Sequence, residues 1–200
     1  MNTSFERTPQ KKPAKSRAVY ETLDWVEIFL SALVTVILIF TFFFRLVVVN
    51  GESMTNTLQP EDHLVISNLF YTPSRGDIVV LQVPSYEDGK KPLIKRVIAT
   101  GGEWVDIDFD TWQVYVGSSP ETLEPIDEPY VRYLDGEQMR YAYTKEQYPM
   151  QIRPGHLFVM GDNRNGSLDS RDSIIGQINE NYVMGHVLLR LFPLDTFGTV

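Results

Sequence analysis

The sequence predicts a mainly β protein, in which an antiparallel, barrel-like sheet follows one N-terminal transmembrane helix. Two observations support this fold class. Residues 28–44 form an apolar stretch without charge, and apolar residues continue over 46–49 after Arg45. Beyond residue 50, short runs of β-branched and apolar residues recur between Gly, Pro, Asp and Asn, with no long helical period. Short strands at this spacing are typical of a compact antiparallel sheet or barrel.

Size and composition exclude several classes of function. The chain has 200 residues, 43% of them hydrophobic, which suffices for one domain and an anchor. A net charge of -8 disfavours nucleic acid as a partner, because phosphate binding needs a basic face. The absence of cysteine excludes disulfides and thiolate chemistry. His63, His156 and His186 belong to no metal-ligand motif, so we expect neither a metal nor another cofactor.

The first predicted element is an uncleaved membrane anchor over residues 25–49. At about 1.5 Å per residue this segment can cross a hydrocarbon core of about 30 Å. Trp25 and Arg45 suit the two membrane interfaces. The apolar run is longer than the roughly 7 to 15 residues of a cleaved signal sequence, and no small-x-small cleavage site follows it.

The charges around the anchor predict its orientation. The positive-inside rule places the basic segment before a span in the cytoplasm. Residues 1–24 carry a net charge of +2, which leaves -10 for the rest of the chain. We therefore expect a single-pass protein of the cell membrane, with residues 1–24 as a disordered cytoplasmic tail and 50–200 as the extracytoplasmic domain. The basic residues before the span are Arg7, Lys11, Lys12, Lys15 and Arg17.

One segment of the predicted domain lacks a strand pattern. Residues 118–150 are rich in acids and tyrosines and show no clear alternation. They are interpreted as a solvated insertion or lid, with one weak strand near Tyr130.

A serine and a lysine are the first candidates for chemistry. Ser53 follows the anchor, and the run 93–99 alternates so that Lys95 shares a face with apolar residues. Desolvation of a lysine lowers its pKa from about 10.4 towards neutrality, as a base for a hydroxyl requires. Arg96 cannot serve, because guanidinium keeps its proton. If this strand holds a base, it is Lys95; a solvated lysine at a strand edge is the alternative.

A polar loop follows the strand predicted at 156–160. Residues 160–171 combine glycines, hydroxyls, two acids and two arginines. Asp and Arg can pair across such a turn and hold a hydroxyl in place. An ordinary polar hairpin is the alternative interpretation.

Together these segments resemble the type I signal peptidases, a family of Ser/Lys proteases, in their compact single-anchor form. The order of the motifs and the anchor directly before the serine also resemble this family. The matching motifs are Ser53-Met54 with Thr57-Leu58, then Arg75–Val79, then Lys95–Ala99, and last Gly161–Arg164 with Ser167, Asp169, Ser170 and Arg171.

The resemblance implies a serine endopeptidase that removes signal peptides from exported preproteins at the outer membrane surface, after small residues at -1 and -3. Its implied partners are signal peptides and membrane lipid, and a monomer is expected. Ser53 would be the nucleophile and Lys95 the general base, with the N–H of Ser53 facing the oxyanion. Ser167 would orient the lysine. The supporting residues implied are Ser167, Asp169, Arg171, Gly51, Met54, Gly161, Asp162 and Asn163.

The chain departs from the family pattern at two places. Asn56 stands where a proline is usual, and Asn165-Gly166 where Asp-Asn is usual. Two other readings stay open. A self-cleaving repressor would share the Ser/Lys chemistry but is soluble and binds DNA. A catalytically inactive, membrane-tethered β domain could act in protein export or assembly, although loss of Ser53 or Lys95 would be expected for it. A Ser-His-Asp hydrolase lacks a supporting histidine motif.

Overall fold

A computed structural model gives the fold of the chain and describes residues 14–141 and 143–200. The chain divides into two compact units, Met1–Phe42 and Phe43–Val200. The described part of the first unit is helical and the second is built mainly of β-strands, so the predicted mainly β class with one N-terminal apolar helix is confirmed.

The helix α1 spans Ala14–Phe43. Within it, Val19–Phe43 is long and apolar enough to cross a membrane. The helix differs from the predicted anchor at both ends. Residues 14–24, predicted to be disordered, are helical because no glycine or proline interrupts residues 14–43. Residues 1–13 of the predicted tail lie outside the described residues.

The end of the predicted anchor is a strand. Residues 45–48 form β1 instead of a last helical turn, and they pair antiparallel with the next strand. Val47, Val48 and Val49 favour this outcome, because β-branched side chains are stiff in helices and fit a pleated strand.

Two antiparallel sheets make up the β unit. The order in the seven-stranded sheet is β1 (Arg45–Val48), β2 (His63–Ser67), β11 (Val183–Phe192), β3 (Ile78–Leu81), β4 (Leu93–Ala99), β9 (His156–Met160) and β10 (Ile178–Asn179). The order in the second sheet is β7 (Glu124–Pro125), β6 (Gln113–Gly117), β5 (Trp104–Asp108) and β8 (Met150–Gln151). Register shifts interrupt β11 against both of its neighbours and β4 against β9. Such irregularities bend strands, and the large sheet is curled into a half-barrel.

The sequence pattern predicted the longer strands beyond residue 50 but not the two-residue strands. The short apolar and alternating runs beyond residue 50 form β2, β3, β4, β5, β6, β9 and β11. In contrast, β7, β8 and β10 have two residues each, too few for a period. The strand expected near Tyr130 was wrong, because the chain there forms a turn.

The segment 118–150 is less solvated than its composition predicts. Within this segment, the side chains of Glu128, Val131 and Met139 are buried. Val131 and Met139 pack into the same apolar cluster as Val105 and Phe158, between the two sheets. These buried positions are isolated and follow no period, which explains why the pattern does not reveal them.

Candidate active site

Lys95 lies in the middle of the large sheet. Because β4 runs between β3 and β9, all seven of its residues are buried, and Lys95 is 2% exposed. Its Nζ donates one hydrogen bond to Ser53 Oγ at 2.8 Å and another to the carbonyl oxygen of Ile94 at 3.0 Å. The structure thus brings the two predicted catalytic residues, 42 positions apart, into direct contact.

The surroundings of Lys95 raise the fraction of its neutral form. Burial lowers the pKa of Lys95 from its ordinary 10.5 to about 8. The Asp169 carboxylate opposes this shift, Arg171 adds to it, and Asp162 opposes it more weakly. With a pKa of about 8, roughly a tenth of the lysine is neutral at pH 7. An amine in this state can accept a proton from a hydroxyl.

Ser53 lies in a turn that the core holds in place. Met54 and Leu58 are buried at 1% and 0% exposure, and the N–H of Leu58 donates to the carbonyl oxygen of Met54 at 2.9 Å. Asn56 has φ of 109°. Proline cannot adopt this value, because its ring fixes φ near about -65°. Asn56, in place of the family's usual proline, therefore fits the backbone conformation of this turn.

We call Ser53 and Lys95 the dyad. The loop Gly161–Arg171 lies beside this dyad, and we call it the catalytic loop. Arg171 donates from Nε to Asp169 Oδ1 at 2.8 Å and from Nη2 to Oδ2 at 2.9 Å. Asp169 Oδ2 also accepts from Ser167 Oγ at 2.6 Å and from the N–H of Gly161 at 2.9 Å. Burial by itself raises the pKa of Asp169, but Arg171 and these hydrogen bonds together hold it below its ordinary value.

A second buried ion pair lies at the start of the loop. Arg96 donates from Nε and Nη2 to the two carboxylate oxygens of Asp162, at 2.9 and 2.7 Å. Thr57 donates from Oγ1 to the same carboxylate at 2.5 Å. Asp162 therefore ties the strand of the lysine to the turn of the serine.

The loop also holds the backbone of the nucleophile directly. The N–H of Asn163 donates to the carbonyl oxygen of Ser53, and its Nδ2 donates to that of Glu52, both at 3.0 Å. A Cβ on Gly161 would overlap with the carbonyl oxygen of Ser53 and the side chain of Ser167. Only glycine permits this close approach.

An open cleft of about 570 Å³ leads to the dyad. Ser53 and Lys95 both line it, together with residues 47–52 and 91–94. Gly51 lies in its wall, with no atom within 4 Å of a Cβ placed there. Met54, the residue after the serine, is an apolar residue in the lining of the cleft. The cleft can therefore admit a peptide chain to the hydroxyl.

The structure brings the predicted supporting residues together around the dyad. The hydrogen bonds described for Lys95 do not include one with Ser167, which was predicted to orient it. The hydroxyl of Ser167 donates to Asp169, whereas the described hydrogen bonds of Lys95 go to Ser53 and Ile94. The orienting role of Ser167 stays a prediction. Within 14–141 and 143–200, no group of three His, Cys, Asp or Glu is placed to hold a metal ion.

Glu128 is a buried residue near the site that the sequence did not indicate. Its carboxylate pairs with Arg164 of the catalytic loop. It comes from a segment without pattern, 36 residues before its partner, so no local signal marks it.

The apolar helix and the β unit with its serine and lysine at a cleft have the architecture of a membrane-anchored serine endopeptidase. The sequence model of the family described as Signal peptidase, peptidase S26 matches residues 22–192, which is most of the chain. The chain therefore belongs to this family. Membership confirms the predicted family, enzyme class and function: a serine endopeptidase that removes signal peptides.

Named relatives agree with this assignment. The chain is 34% identical to Signal peptidase I P of Bacillus subtilis subsp. natto over 176 residues, which cover 86% of this chain and 90% of that protein. It is 31% identical to Signal peptidase I T of Bacillus subtilis over 199 residues, or 97% of this chain and 94% of that protein. It is 28% identical to Signal peptidase IB of Staphylococcus aureus, over 88% of this chain and 93% of that protein.

Proposed function

We propose that this signal peptidase cuts its substrates with Ser53 as nucleophile and Lys95 as general base. The observation that supports this most is the 2.8 Å contact between Lys95 Nζ and Ser53 Oγ at a lysine that is 2% exposed. Lysine side chains are seldom buried to this extent. Burial lowers the pKa of the amine, which lets it act as a base near neutral pH.

The reaction follows from this contact. Neutral Lys95 takes the proton of Ser53 as Oγ attacks the scissile carbonyl, and the N–H of Ser53 stabilises the oxyanion. The lysine then protonates the leaving amine, which departs and leaves an acyl-serine. A water then gives a proton to Lys95 as it attacks the ester carbonyl. The ester C–O bond breaks, Lys95 returns the proton to Ser53 Oγ, and the signal peptide leaves as a carboxylic acid with Ser53 and neutral Lys95 restored.

The sheet offers an extended binding site for the substrate. Strand β9 pairs with β4 only from Arg96 onwards, so the residues Leu93–Lys95 have no partner strand on that side among the described residues. We infer that the signal peptide adds here as a strand. The walls next to the serine would then accept small side chains at -1 and -3 and exclude bulky ones.

The helix supports a location in the membrane. We infer that α1 spans the cell membrane once within residues 19–43, with the basic N-terminus in the cytoplasm and the β unit outside. The monomeric state is also part of this proposal. Membrane lipid would then surround the helix.

The function is tested with the full chain in detergent and lipid, mixed with a preprotein that has an Ala-x-Ala site. Mass spectrometry should locate a cut after the last Ala with the parent and with Ser118→Ala, a change of an exposed serine in the bend after β6. Ser53→Ala should give no cut. A cut by Ser53→Ala at the parent rate would reject the nucleophile, and no cut by the parent on several precursors would reject the function.

A further inference from the structure

We propose that Glu128 is a positioning residue of the reaction, which holds the catalytic loop against the backbone of the nucleophile through Arg164. This inference rests on the proposed roles of Ser53 and Lys95. It gives a function to the segment 118–150, whose residues 128–132 we call the brace.

Glu128 and Arg164 form a completely buried ion pair. Their side chains are 1% and 0% exposed. Arg164 donates from Nη2 to Oε1 at 2.5 Å and from Nη1 to Oε2 at 3.1 Å. The hydroxyl of Tyr130 donates to Oε1 at 3.0 Å. A buried guanidinium without a carboxylate partner is strongly unfavourable, so Glu128 fixes the position of Arg164.

Arg164 in turn holds the catalytic loop at two points. Its Nε donates to the carbonyl oxygen of Gly161 at 3.1 Å, and its own carbonyl oxygen accepts from Arg171 Nη2 at 2.6 Å. Asn163, the neighbour of Arg164, donates to the carbonyl oxygens of Ser53 and Glu52. A shift of Arg164 would therefore move the contacts that hold Ser53.

The brace also contacts the serine turn and the second ion pair. Asn56 Nδ2 donates to the carbonyl oxygen of Tyr130, and the N–H of Arg132 donates to that of Asp162, both at 3.0 Å. The guanidinium of Arg96 lies 3.9 Å from the ring centre of Tyr130. The brace thus connects the loop, the serine turn and the strand of the lysine.

A positioning role differs from a purely structural one in what it changes. Loss of a structural pair lowers the folded fraction, and each folded molecule stays fully active. Loss of a positioning contact lowers kcat of the folded enzyme, because a misplacement of about 1 Å can cost about a hundredfold in rate. The KM should change little, since Glu128 does not line the cleft.

The test is Glu128→Gln in the full chain, with kcat and KM measured on a precursor that the parent cuts in a Ser53-dependent way. This first measurement separates a failure of the proposed function from a failure of the present inference. Per folded molecule, measured by near-UV circular dichroism, kcat should fall by roughly tenfold to a hundredfold with KM within about twofold. Glu124→Gln, an exposed residue of β7, is the matched control and should equal the parent.

Two further variants make the test decisive. If Glu128 acts through the loop, adding Asn163→Ala to Glu128→Gln should lower kcat no further than the more damaging single change. Tyr130→Phe removes only the hydroxyl bond to Glu128 and should lower kcat about two- to fivefold, which gives an answer even if Glu128→Gln does not fold. An unchanged kcat per folded molecule in the variants that fold, or losses that multiply in the double variant, would overturn the inference.

Discussion

Replacing Lys95 with methionine should lower kcat at pH 8 by about a thousandfold or more, because among the described residues only Lys95 forms a hydrogen bond with the Ser53 hydroxyl. Methionine has a similar volume and carries no amine, so the buried site should stay filled and the fold intact. Cleavage of a labelled precursor measures the first effect, and thermal unfolding the second. Lys95→Arg should be equally inactive, since guanidinium keeps its proton.

The matched control is Lys90→Met. Lys90 is exposed and pairs with the exposed Asp88, so its loss should leave kcat within about twofold of the parent. More than a tenth of the parent activity in Lys95→Met would reject the general base assignment. A fall in Lys90→Met of similar size would show that loss of positive charge alone explains the result.

The second large effect is expected at Asp169→Asn. This change removes the negative charge that neutralises the fully buried Arg171, and breaking such a pair costs about 3–5 kcal/mol in unfolding free energy. Gly161 and Ser167 would also lose a charged acceptor, so kcat should fall as well. Urea unfolding of the full chain in detergent measures the stability, and precursor cleavage measures kcat.

The stability loss should also depend on pH in a defined direction. The pKa of Asp169 is lowered in the folded chain, so its contribution is present above the ordinary carboxyl pKa and is lost as the pH falls through the folded value. The difference between parent and variant should therefore shrink in acid. Asp88→Asn breaks an exposed pair and should change stability by about 1 kcal/mol or less. An equal effect of the two variants would contradict the burial argument.

The long elements of the fold were predictable because each is encoded in neighbouring residues. Strands such as β4 and β5 show a run of apolar or alternating residues, and the anchor is an uninterrupted apolar stretch. The boundary at Arg45 was not predictable in this way. Residues 46–48 are apolar enough for either element. Antiparallel pairing with β2, which is distant in sequence, stabilises the strand.

The residues of the site also differ in how well the sequence predicts them. Ser53, Lys95 and the Asp169–Arg171 pair belong to motifs that resemble a known family, so the sequence indicated them together. The pair of Glu128 and Arg164 joins segments 36 residues apart, and one of them has no pattern. Most glutamates are exposed, so the sequence alone does not distinguish the buried Glu128 from the solvated acids around it.

The dependence of the cleavage rate on pH tests the central claim most directly, because it reports the protonation of Lys95 itself. The pKa of Lys95 is lowered to about 8, so kcat under single-turnover conditions should rise about tenfold per pH unit in neutral and acid solution, reach half its maximum near that value, and level off above it. The remaining activity of Lys95→Met should lack this rise. A flat profile of the parent from about pH 5 to 10, with chemistry limiting the rate, would contradict Lys95 as the base.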